Sequence, residues 1–159
     1  MELTNQLFRE LCALDQVEAL ALGGSRAGER FDVPYPPRLR ENIMENSWRL
    51  LHSSMPAYEG QIKKALKRGD LVSVNHRTAA FLESYFDILF ALNRQTHPGE
   101  KRLMQLCRER CPLLPERFEE NLEQLFAHLF AGDGRAEEDI GAIIDALDRV
   151  LAPLFPLER

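Results

Sequence analysis

Residues 71–102, LVSVNHRTAAFLESYFDILFALNRQTHPGEKR, constrain the fold more than any other part of the chain. Nowhere else is the sequence as apolar over as great a length. Phe81, Leu82, Tyr85, Phe86, Ile88, Leu89 and Leu92 recur at three- and four-residue steps, which is the period of a helix apolar over a wide face. Such a helix is buried on most sides, so other helices must surround it. The polar residues left over, His76, Glu83, Asp87 and Arg94, fall close to one narrow stripe. That stripe faces either solvent or a cleft, and the choice between them is most of the functional question.

Around this segment the remaining chain punctuates itself. Residues 2–14 form a short amphipathic pattern with Leu3, Leu7, Phe8, Leu11 and Leu14 on one side. Residues 17–22, VEALAL, give the one convincing strand, ending at Gly23-Gly24. The following GGSRAG turn could offer backbone N–H groups to a phosphate. The proline-dense ERFDVPYPPRL is neither helix nor sheet, and Pro37 suits the first turn of a helix running to about residue 54. Pro56 separates that helix from another over residues 57–68, which Gly69 stops. Asp70 is a good N-cap for the central helix. Residues 96–99 break the chain, residues 100–110 resume as helix, and Pro112 and Pro115 break it again. Phe118, Leu122, Leu125, Phe126 and Leu129 mark one more helix. Ile140 to Leu151 complete the last, after the turn at residues 132–134. The expectation is an all-α bundle of about six to seven helices, with one short vestigial strand near the N-terminus.

Length and charge then narrow the function. A chain of 159 residues suits one ordinary core. A net charge of −5 argues against general nucleic-acid binding, though a local basic pocket for a nucleotide remains compatible with it. The longest apolar stretch is interrupted by His76, Arg77, Glu83 and Asp87, so no membrane span is expected. The N-terminus lacks the pattern of a secretory leader. The three cysteines are an odd count, so a reduced, cytoplasmic protein is expected. Cys107 and Cys111 stand one helical turn apart. Zinc would need two further ligands, which have no convincing offset, so burial is expected and no metal is assigned.

Two separated pieces carry a resemblance. VEALALGGSRAG resembles the first active-site strand and turn of the polymerase-beta-like nucleotidyltransferases. YPPRLRENIMENSW and FDILFALNRQTHPGEKR are similar to the helical domain that follows the catalytic sheet in a bacterial branch laid out like the aminoglycoside nucleotidyltransferases. The resemblance implies a remnant of a catalytic domain over residues 1–33 and a helical domain over 34–159. It would also require an Asp-x-Asp pair on the next strand to hold two divalent metals. Here the next acids are Glu29 and Asp32, ahead of three prolines, and neither matches.

The site residues follow from the same comparison. Gly24, Ser25 and Arg26 are the counterpart of the nucleotide-phosphate turn, or else a simple tight turn. Glu83 and Asp87 are candidates for a general base toward a substrate hydroxyl, or else part of a solvated stripe that His76 or Arg94 offsets. Asn93, Arg94, His97, Lys101 and Arg102 cluster after the central helix. Asn93, Lys101 and Arg102 are the nucleotide-binding candidates, and the other reading is a loop with ordinary surface cations. Trp48 and Tyr58 are assigned to core packing ahead of a substrate groove. The implied function is a helical substrate-recognition domain, catalytically incompetent as written and without a cofactor. One alternative is an active nucleotidyltransferase using magnesium and an NTP to modify a small-molecule hydroxyl. Another is an interaction module, as a homodimer through an uncovered bundle face or in a toxin–antitoxin type complex. The last is ranked lowest because the Arg-to-His spacing of such ribonucleases is missing.

Overall fold

The apolar run beginning at Leu71 is the longest helix among the described residues and the one that most others touch. The computed structural model describes residues 35–53 and 56–154, together with the single positions Gln6 and Glu10. Six α-helices follow in order: α1 Pro37–Trp48, α2 Tyr58–Arg68, α3 Leu71–Leu92, α4 Leu103–Arg110, α5 Phe118–His128 and α6 Arg135–Leu151. A π-helical turn, Arg49–Ser53, continues α1. No strand occurs among the described residues, and the fold is an all-α bundle. Gln6 and Glu10 are helical, with Gln6 Nε2 donating to Glu10 Oε1 at 3.0 Å. The rest of the helix expected over residues 2–14, the strand over 17–22, the GGSRAG turn and the 1–33 remnant lie outside the described residues.

The helix boundaries have local causes. Pro36 is extended and Pro37 opens α1, where a missing N–H costs nothing. Gly69 ends α2 in the left-handed region at φ 66°, with its N–H on Leu66 O and that of Asp70 on Ala65 O. Asp70 then caps α3, its carboxylate accepting from the Ser73 N–H at 3.1 Å and from the Ser73 hydroxyl. At the far end Arg94 takes the left-handed position, φ 54°, that glycine usually fills, and Gln95 N–H reaches back to Phe90 O at 2.8 Å. Two boundaries differ from expectation. Helix α4 begins at Leu103, not residue 100, because Arg102 is itself left-handed at φ 57°. Helix α1 keeps α geometry only to Trp48 and then widens into the π turn, with Leu51 buried and Leu50 exposed.

Helix α3 packs against α1, α2 and α4, α5 packs against α6, and α2 also meets α6. Val74, Phe81, Tyr85, Ile88, Leu89 and Leu92 are the buried face of α3. An aromatic cluster joins it to α5: Tyr85 stacks on Phe118 with centroids 6.4 Å apart, and Phe86 meets Phe118 edge-on at 6.2 Å. Trp48 is buried, and its Nε1 donates to Asp148 Oδ1 at 2.8 Å, tying α1 to α6 across a hundred residues of sequence. Among the described residues the large exposed apolar side chains come from several separate segments. Leu71 and Val72 lie at the start of α3, more than ten residues from the stretch that approaches α5, while Phe126 lies near the end of α5 and Phe130 just past it. No helix among the described residues is long and apolar enough to cross a membrane.

Candidate functional site

Four side chains from four segments converge near the C-terminal end of α3. Tyr35 comes from the extended residues before α1, Arg40 from the first turn of α1, Asp87 from α3, and His97 from the loop between α3 and α4. The diproline explains the first two. Pro36 holds Tyr35 outside the helix while Pro37 starts α1, so Arg40 sits one turn in, its N–H on Pro36 O at 3.1 Å.

The electrostatics are mutual. Asp87 is half-buried, and burial pushes its carboxyl above the usual carboxylate range. His97 opposes that shift, and the negative charge of Glu83 adds to it. The Tyr35 phenol is also raised, by burial first and by the negative Asp87 second, with Arg40 pulling the other way. Arg40 Nη2 donates to the Leu92 carbonyl at 3.4 Å, but its Nε is buried without a hydrogen-bond partner.

His97 is held from two sides. Its ring meets buried Phe90 edge-on with centroids 5.2 Å apart, and Nδ1 accepts the Gly99 N–H at 3.2 Å. That acceptor role puts the proton of the neutral ring on Nε2. Nε2 is buried without a hydrogen-bond partner and lies 3.9 Å from Asp87 Oδ1. This is too long for a direct hydrogen bond; the span is that of one bridging oxygen at ordinary lengths, which Nε2, closed to solvent here, would meet only after the ring turned outward. A hydroxyl fits that pair: it can accept from Nε2–H and give its proton to Asp87. A carboxylate with a raised pKa is the better proton acceptor for such a step.

The residues expected from sequence fare differently. Asp87 is in the cluster. Glu83 is exposed and acts on Asp87 through its charge alone. The side chain facing Asp87 is His97, not His76 or Arg94 of the stripe; His76 is exposed three turns back along α3. The amide of Asn93 is fully engaged by the backbone: Nδ2 donates to Leu89 O at 2.8 Å and Leu113 O at 2.9 Å, and Oδ1 accepts Leu113 N–H at 2.8 Å. Lys101 and Arg102 are exposed in the turn before α4. Gly24, Ser25 and Arg26 lie outside the described residues. Trp48 is core and Tyr58 packs against it. Cys107 and Cys111 are buried together, and the Cys107 thiol is held up by its hydrogen bond to Cys111 and by burial. Among the described residues no three His, Cys, Asp or Glu side chains converge as a metal site.

Tyr35 and Arg40 were not singled out from sequence. The available signal was their position on either side of Pro36-Pro37, within YPPRLR.

Residues 23–103 match a protein family described as a domain of unknown function, DUF4037. The match takes in Tyr35, Arg40, Asp87 and His97, and it ends before α5 and α6. Neither the curated proteins nor the solved structures gave a match.

Proposed function

We propose, from the premise that the chain belongs to the DUF4037 family, that its helical domain binds a small molecule by a hydroxyl group, as the substrate-recognising half of a nucleotidyltransferase-like protein. Asp87 is the acceptor of the hydroxyl proton, His97 Nε2–H is the donor to the hydroxyl oxygen, and Arg40 and Tyr35 stand beside Asp87. The observation that carries this reading is the Asp87–His97 pair, 3.9 Å apart with Nε2 buried and unpartnered. A buried donor without a partner costs stability, and a ligand oxygen would remove that cost.

The nucleotidyltransferase half of the proposal rests on the sequence resemblance. The described residues do not fit a two-metal centre, since no three potential ligands among them converge, so no step is routed through magnesium. Recognition without nucleotidyl transfer is proposed from the sequence, where no Asp-x-Asp pair follows GGSRAG.

Saturation-transfer NMR with a panel of neutral sugars, amino sugars and simple polyols tests it. At least one compound should bind, and its signal should be lost in both Asp87→Asn and His97→Gln. A panel in which no binding depends on Asp87 would overturn the reading. Magnesium-dependent release of pyrophosphate from ATP with a bound polyol would overturn the inactive part and restore the enzyme.

A further inference from the structure

The acid cluster has an apolar neighbour. Leu82 and Phe86 of α3, Leu103 and Met104 of α4, and Phe126 of α5 line a groove of about 320 Å³. That is near the lower end of the range for small-molecule sites. It suits one or two rings or a short acyl chain, and is too small for the face of a partner helix.

Asp87 and His97 do not line the groove, but two features of the chain set it beside the cluster. Leu82 and Phe86 each immediately precede a carboxylate, Glu83 and Asp87. Neighbours in a helix stand about 100° apart around its axis, so the apolar pair and the acidic pair run as adjoining stripes along α3. The loop that brings His97 to Asp87 also continues directly into Glu100 and Arg102, which edge the groove. That edge carries one acid and one base, so it favours an uncharged body over an ionised one. Phe126, at the groove wall, is 51% exposed, which leaves a large aromatic surface for a ligand to cover.

We infer that the ligand is an amphiphilic alcohol whose aryl or short acyl body fills the groove while its hydroxyl bonds Asp87. The inference rests on the reading of Asp87 as a hydroxyl's partner and adds what the rest of that molecule is.

A series of phenylalkanols with one to five methylenes between ring and hydroxyl, titrated into the full chain and followed by NMR shifts, tests the link. Affinity should peak at one spacer length, where the ring is seated and the hydroxyl reaches Asp87. Asp87→Asn should weaken the best member about tenfold and abolish the peak, the worth of one hydrogen bond to a charged group. Phe126→Ser should weaken every member about tenfold through lost apolar burial. Circular dichroism should show both variants folded, since Asn is isosteric and Phe126 is half-exposed. Affinity that climbs steadily with chain length and ignores Asp87→Asn overturns the inference, as does no binding at millimolar alcohol. A dimer by light scattering that the alcohols do not dissociate also overturns it, because a second copy would then hold the groove. If the polyol panel binds through Asp87 while the alcohol series shows no peak, the hydroxyl site stands and the groove is removed from it.

Discussion

Asp87 is a carboxyl whose ionisation, not protonation, the fold opposes. Its carboxyl is raised mainly by burial, so the folded protein holds a proton there that the unfolded chain has already released. Stability therefore falls as pH rises through the window between the unfolded and folded values, and the deficit persists above it. Asp87→Asn should accordingly be neutral to slightly stabilising near pH 7, by less than about 1 kcal/mol because the side chain is partly solvated. The gain should vanish as pH falls below the ordinary aspartate range, and thermal melts of both proteins from pH 3 to 8 would show it. Thr78 offers a second case. Its hydroxyl is buried inside α3 with no hydrogen-bond partner, so Thr78→Val should stabilise by roughly 1 kcal/mol in urea unfolding. Of the four clustered residues, sequence reading reached Asp87 through its place on a helical stripe and His97 through its loop. It did not join the two, because helical periodicity relates residues within one element and says nothing of a loop folding back. Tyr35 and Arg40 were harder still, since their role depends on where α1 lands against α3.

At the scale of elements, Asn93 is the fastener between α3 and the loop leading to α5. Asn93→Ala removes three hydrogen bonds of 2.8–2.9 Å at once, and should cost about 1–3 kcal/mol in denaturant unfolding. The loss should be larger than for Lys101→Ala or Arg102→Ala, which alter exposed side chains. This reverses the emphasis that sequence alone placed on the cluster, where Asn93, Lys101 and Arg102 looked equivalent. Helix positions, by contrast, were nearly all legible. Pro37, Gly69 and Asp70 set boundaries through local backbone chemistry that needs no tertiary partner. The start of α4 was misplaced because arginine at positive φ gives no sequence signal, whereas glycine would have. The π turn was equally silent, since its apolar spacing resembles continued helix.

For the whole molecule, the Trp48–Asp148 hydrogen bond joins the first described helix to the last. Trp48 is the one tryptophan of the chain, so its fluorescence reports that junction alone. If the bundle unfolds as one unit, fluorescence and far-UV circular dichroism should give coincident urea transitions. Asp148→Ala, which leaves the indole N–H buried without that acceptor, should move both midpoints together, by about 1–3 kcal/mol. Midpoints that separate would mean that α1 and α6 belong to different cooperative units. That long-range pairing could not have been read from sequence, where Trp48 was assignable only to a core.

The π turn at Arg49–Ser53 has a consequence for how the chain tolerates changes in length. A π turn holds one residue more than an α turn, so this segment already contains the equivalent of a single-residue insertion absorbed without breaking the helix. Deleting exposed Leu50 would let the turn relax to α geometry with Leu51 still able to point inward. The same deletion within residues 37–48 would rotate Met44 and Trp48 out of phase with the core. The spare residue makes this the position in α1 where the reading frame of buried side chains is most forgiving.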